Sequence, residues 1–115
     1  MKKKRISVIL PANAIMEIRK RMLKEGYSLR EKSKWISEAI KDFLKLREYH
    51  SLVEMAELVE DLAKTETVYI TEELEDQLEK AIIEVRKNHP ALEGVKSLIV
   101  RASIVRRLVL LAKRK

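Results

Sequence analysis

The sequence predicts a mainly α fold that carries a short antiparallel β-ribbon, and three observations lead there. Only two Gly and two Pro occur in 115 residues, too few for a turn-rich β protein. Polar and apolar residues nevertheless alternate in Arg5-Ile6-Ser7-Val8-Ile9-Leu10 and in Thr65-Glu66-Thr67-Val68-Tyr69-Ile70, the pattern of a half-buried strand. Each strand runs directly into a segment of helical periodicity, and an offset of sixty residues places Leu10 on Ile70, Ala14 on Leu74, Ile18 on Leu78 and Met22 on Ile82. A chain with this repeat is built from two strand-helix-helix units.

The first unit, residues 1–46, opens with the basic run Lys2-Lys3-Lys4-Arg5. After Leu10-Pro11, the spacing of Ala14, Ile15, Ile18 and Met22 predicts a helix that Gly26 ends. Ser33 is placed to cap a second helix whose apolar face is Trp35, Ile36, Ala39, Ile40, Phe43 and Leu44. Trp35 and Phe43 lie on or beside that stripe and are expected in the core. Residues 47–63 read as a helical acidic connector, in which Ser51 and Glu54 form a capping box ahead of Met55, Ala56, Val59 and Leu62; it either stands alone or prolongs the preceding helix. The second unit, residues 64–115, repeats the order. Thr71 is a good N-cap, Glu72 and Glu73 suit the positive end of a helix dipole, and Leu74, Leu78, Ile82 and Val85 line one face before Asn88-His89-Pro90 stops it. Ser97 is placed to cap a last helix lined by Ile99, Val100, Ile104, Leu108 and Leu111, which leads into a basic tail.

A lone strand leaves its backbone N–H and C=O groups unpaired, so each of these two needs a partner. They are expected to pair antiparallel, either within the chain or with the equivalent strand of a second chain through self-association. In such a ribbon Ile6, Val8, Leu10, Val68 and Ile70 turn towards the helices. Arg5, Ser7 and Ile9, beside Thr65, Thr67 and Tyr69, then turn away from them, and no helix remains to cover that face.

Charge is distributed in blocks: 14 Lys/Arg against 6 Asp/Glu in residues 1–50, 2 against 11 in 51–85, and 9 against 1 in 86–115, or +8, −9 and +8. Two basic lobes around an acidic middle suggest a polyanion partner. Arg101, Arg106, Arg107, Lys113, Arg114 and Lys115 fit either a solvated helix face or contacts to a nucleic-acid backbone. The absence of Cys excludes disulfides and thiolate metal sites and suits a cytoplasmic protein. No apolar run approaches the roughly 18 residues of a membrane span, so no membrane partner is expected. The high charge with few Asn and Gln leans towards a heat-adapted source. No glycine-rich phosphate loop, His-Glu metal motif or histidine-activated nucleophile occurs, and His50 and His89 lack a convergent ligand set. Neither enzymatic activity, a small-molecule substrate nor a cofactor is expected.

A short N-terminal strand ending in Leu10-Pro11, an amphipathic helix, a turn, and the helix Ser33-Lys34-Trp35-Ile36-Ser37-Glu38-Ala39-Ile40-Lys41-Asp42-Phe43-Leu44 together resemble the ribbon-helix-helix family of DNA-binding regulators. Residues 3–46 match its pattern closely and residues 64–112 more loosely. The tandem form resembles the double ribbon-helix-helix transcription regulators of archaeal viruses. The resemblance implies that the ribbon enters the major groove of an operator, with Arg5, Ser7, Ile9, Thr65, Thr67 and Tyr69 as base readers. It also implies phosphate contacts from Lys2, Lys3 and Lys4 and from the starts of the second helices, Ser33 with Lys34 and Lys96 with Ser97. Glu66 departs from the pattern, standing where the first strand has Ile6. The function so implied is a sequence-specific double-stranded DNA-binding transcription regulator, a repressor. The residues alone also allow a protein-interaction module, antitoxin-like or a virion scaffold, or a non-specific DNA-coating protein.

Overall fold

The computed structural model describes residues 3–56 and 61–112, the side chains of Glu54, Met55, Leu111 and Ala112 excepted. Lys2, Val59, Lys113, Arg114 and Lys115 lie outside the described residues. In chain order the elements are β1 (Lys3–Pro11), α1 (Ala12–Lys24), a single 3-10 turn (Leu29–Glu31), α2 (Lys32–Leu44), α3 (Tyr49–Met55), β2 (Leu62–Thr71), α4 (Glu72–Asn88) and α5 (Val95–Ala112). The fold is thus mainly helical with one two-stranded sheet.

β1 and β2 pair antiparallel within the same chain, so the strand partner comes from the other half of the sequence. The register is continuous from Lys3↔Thr71 to Leu10↔Lys64, with Ser7↔Thr67 in the middle, and shifts only before Pro11↔Leu62. Five inward residues, Ile6, Val8, Leu10, Val68 and Ile70, are buried. Burying one such side chain is worth roughly 1.5–3 kcal/mol, and a slip of one residue would expose all five at once. The hydrophobic alternation therefore fixes which face looks outward.

Beneath the ribbon, Ile15, Ile18 and Met22 of α1, Trp35, Ile36, Ile40 and Phe43 of α2, Leu74, Leu78, Ile82 and Val85 of α4, and Ile99, Val100 and Ile104 of α5 join one core. α2 and α5 pack against each other at its centre; α2 also supports β2, and α5 supports β1. The radius of gyration is 13.5 Å, against roughly 13 Å for a single compact domain of this length. The described residues of the segments 1–46, 47–63 and 64–115 accordingly share one body.

Several local expectations change. Among the described residues of the connector, the α-helix covers Tyr49–Met55. Ser51 lies inside that helix instead of capping it, its N–H donating to the Glu48 carbonyl at 3.1 Å. Leu62 belongs to β2 and is exposed. Ser33 and Ser97 are not caps either. α2 starts at Lys32, because the 3-10 turn that follows Ser28 runs straight into it, and α5 starts at Val95, directly after Gly94 at φ +61°. Thr71 does cap α4, its Oγ1 accepting from the Leu74 N–H at 3.1 Å, and Gly26, at φ +88°, follows the end of α1.

Candidate nucleic-acid interface

The outer face of the ribbon carries three facing pairs. Arg5 stands opposite Tyr69, Ser7 opposite Thr67, and Ile9 opposite Thr65, which brings all six expected base readers together on one surface. Ile9 is 37% and Tyr69 49% exposed although their neighbours Val8, Leu10, Val68 and Ile70 are at most 1% exposed. An aliphatic and an aromatic side chain left in water, beside buried neighbours of similar chemistry, mark a face that nothing in the fold covers. Residues two apart on a strand are separated by roughly 6.8 Å, so Arg5 to Ile9 spans about 13.6 Å, some four base steps at about 3.4 Å each. A ribbon of two strands also fits a major groove about 12 Å wide.

Both edges of this narrow sheet are tied to helices. The Tyr69 N–H donates to Ser33 Oγ at 3.0 Å, and the Ile9 carbonyl accepts from Arg101 Nε at 3.1 Å. Ser33 thus fastens α2 to the Arg5/Tyr69 end of the ribbon, and Arg101 fastens α5 to the Ile9/Thr65 end. Arg101, 5% exposed, is therefore neither on a solvated helix face nor available to a nucleic-acid backbone. Glu66 occupies an inward position opposite Val8; it is tolerated there because its carboxylate pairs with the Lys32 ammonium at the start of α2.

The two expected phosphate anchors differ. Lys34 is 63% exposed, lies 3.6 Å from Glu31 and has its ammonium 5.7 Å from the centre of the Tyr27 ring. With Lys3 and Lys41 it borders a depression of about 280 Å³ whose walls include Ser37, Tyr69 and Thr71. Lys96, at the start of α5, sits instead between Glu75 at 3.8 Å and Glu79 at 3.6 Å, and Ser97 lies in the first turn of that helix. Lys3 and Lys4 are exposed at the end of β1; Lys3 pairs with Thr71, so Glu72 and Glu73 of α4 begin beside it.

The loop between α1 and α2 holds a second polar cluster that sequence reasoning missed. Trp35 Nε1 donates to Glu25 Oε2 at 2.9 Å. From α5, Arg107 donates to Glu25 Oε1 at 2.9 Å and to the Trp35 carbonyl at 2.8 Å, with its guanidinium 4.5 Å from the centre of the Trp35 ring. Tyr27 donates to Glu38, and that hydrogen bond, aided by burial, pushes the phenol pKa up. Arg107 is consequently a structural clamp and not part of a backbone-contacting face.

Among the described residues no group of three or more potential ligands could hold a metal ion, and no helix is long and apolar enough to cross a membrane. Comparison with protein-family models, curated proteins and solved structures gives no match for this chain.

Proposed function

We propose that the chain is a sequence-specific double-stranded DNA-binding regulator of transcription, a repressor, made of two tandem ribbon-helix-helix units whose strands pair with each other and enter the major groove. The observation that carries this reading is the uncovered outer face of the ribbon, where Arg5, Ser7, Ile9, Thr65, Thr67 and Tyr69 meet in register above the buried Ile6, Val8, Leu10, Val68 and Ile70. Arg5 suits bidentate hydrogen bonding to guanine O6 and N7. The Ser and Thr hydroxyls both donate and accept, and Ile9 offers apolar contact to a thymine methyl. Lys3, Lys4 and Lys34 are exposed near the Arg5 end and positioned for phosphate.

Gel shifts with DNA from upstream of the protein's own gene, against random-sequence competitor, test the proposal. A selective shift is expected, and its affinity should fall with salt at a log–log slope of roughly −0.9 per phosphate neutralised. Arg5→Ala should cost about 1–3 kcal/mol and relax base preference locally. Equal binding of both DNAs would indicate a coating protein, and no shift a protein-interaction module; either result rejects the proposal.

A further inference from the structure

We infer that the ribbon reads a non-palindromic site and lies on it in one orientation only, with its Arg5 end over a guanine. This rests on the DNA-binding reading above and concerns which DNA is bound. In a ribbon of two identical strands, a half-turn about the central pair would leave the reading face unchanged. Here the central pair is Ser7↔Thr67, and the same half-turn exchanges Arg5 with Thr65 and Ile9 with Tyr69. One end therefore presents a guanidinium beside a phenol, the other a hydroxyl beside an aliphatic side chain.

The base edges these ends accept are different. The guanidinium matches the paired acceptors of guanine, whereas Ile9 with Thr65 matches the methyl and O4 of thymine.

The flanking helices are unequal in the same sense, by an independent set of contacts. At the Arg5 end the start of α2 brings an exposed Lys34, with Lys3 and Lys41 bordering the same depression. The carboxylates nearby are partly engaged, Glu31 by the Ser28 N–H at 2.8 Å and Glu38 by Tyr27, while Glu72 and Glu73 begin α4. At the Ile9 end Arg101 is buried against the β1 backbone, and Lys96, at the start of the same helix, is held between Glu75 and Glu79 of α4. A duplex backbone has the same charge in both directions. Direction must then come from the bases, and reversal would place Arg5 where its two acceptors are missing, a loss of roughly tenfold or more.

The experiment is selection of bound duplexes from a random double-stranded pool by the full chain, followed by sequencing, for the wild type and for the double variant Thr65→Arg with Tyr69→Ile. Both substituted positions are exposed, and the variant gives each ribbon end one Arg and one Ile. The wild type is expected to select one consensus that differs from its own reverse complement, with guanine at one end. Replacing that G·C pair by A·T should weaken binding roughly tenfold, and the symmetrised variant should select a palindrome. A palindromic consensus from the wild type, or an unchanged consensus from the variant, overturns the inference. Retention of duplexes without any consensus also overturns it while leaving DNA binding intact. Retention of no duplex removes the DNA-binding reading itself.

Discussion

Arg107 and Arg5 carry the same charge and do opposite things. Arg5 ends in solvent, while the Arg107 side chain, 16% exposed, bonds the Trp35 carbonyl and Glu25 and covers the Trp35 ring. Losing it would take from the Glu25 carboxylate its cation and one of its two donors, and from the Trp35 carbonyl the guanidinium N–H. Arg107→Ala is expected to lower stability by about 2–3 kcal/mol, measured as a shift in the urea midpoint. Arg107→Lys should recover only part of this, since one ammonium cannot reproduce a planar two-pronged contact stacked on an indole. Equal stability of Arg107→Ala and wild type would show the clamp to be idle. Nothing near Arg107 or Arg101 in the chain distinguishes them from solvated helix residues. Their acceptors lie 72 and 92 residues away, at Trp35 and Ile9, so a tertiary contact alone sets their role. Arg5, Ser7 and Ile9 were legible because a strand's period of two assigns the outward face from neighbouring residues.

At the level of the element, strands, apolar helix faces and the start of α4 followed from local pattern, whereas the starts of α2, α3 and α5 did not. Ser33 has the chemistry of a cap, but the chain already turns at Leu29–Glu31, so the helix is under way by Lys32 and the Ser33 hydroxyl is taken by the ribbon edge. The residue that caps this turn is Ser28, whose N–H donates to Glu31. That hydrogen bond, supplemented by Lys34, pulls the Glu31 carboxyl below its ordinary pKa. A carboxyl depressed in the folded state contributes stability that is present above the ordinary glutamate range and is lost as pH falls through the lowered value. Glu31→Gln should therefore melt below the wild type at neutral pH, and the two should converge under acid, because a protonated Glu31 and a Gln are nearly alike. A gap that stays constant with pH would remove the charge from the explanation. The end of α1 gives a second expectation. Gly26 has open space where a Cβ would go, yet its φ is +88°, so Gly26→Ala should cost about 1 kcal/mol through backbone strain alone, read from thermal unfolding.

For the whole molecule the open choice was the source of the partner strand, and the local pattern could not decide it. The same alternation, with the two strands offset by sixty residues, serves a ribbon closed within one chain or one shared between two. The structure closes it within one chain: α1, α2 and α3 fill the interval and bring β2 back along β1, while α2 and α5 interlock so that each half supports the other half's strand. Closure of this kind replaces an encounter between molecules by an intramolecular one with an effective concentration in the millimolar range. It also frees the two strands to differ in sequence, which two copies of one strand could not do. Unfolding should consequently be unimolecular. Across roughly a hundredfold dilution the denaturation midpoint should stay fixed, whereas a ribbon assembled from two chains would lose about 2.7 kcal/mol of apparent stability. A midpoint that falls with dilution would mean that the strands pair between molecules, and the asymmetric outer face would then have to be built from two chains instead of one.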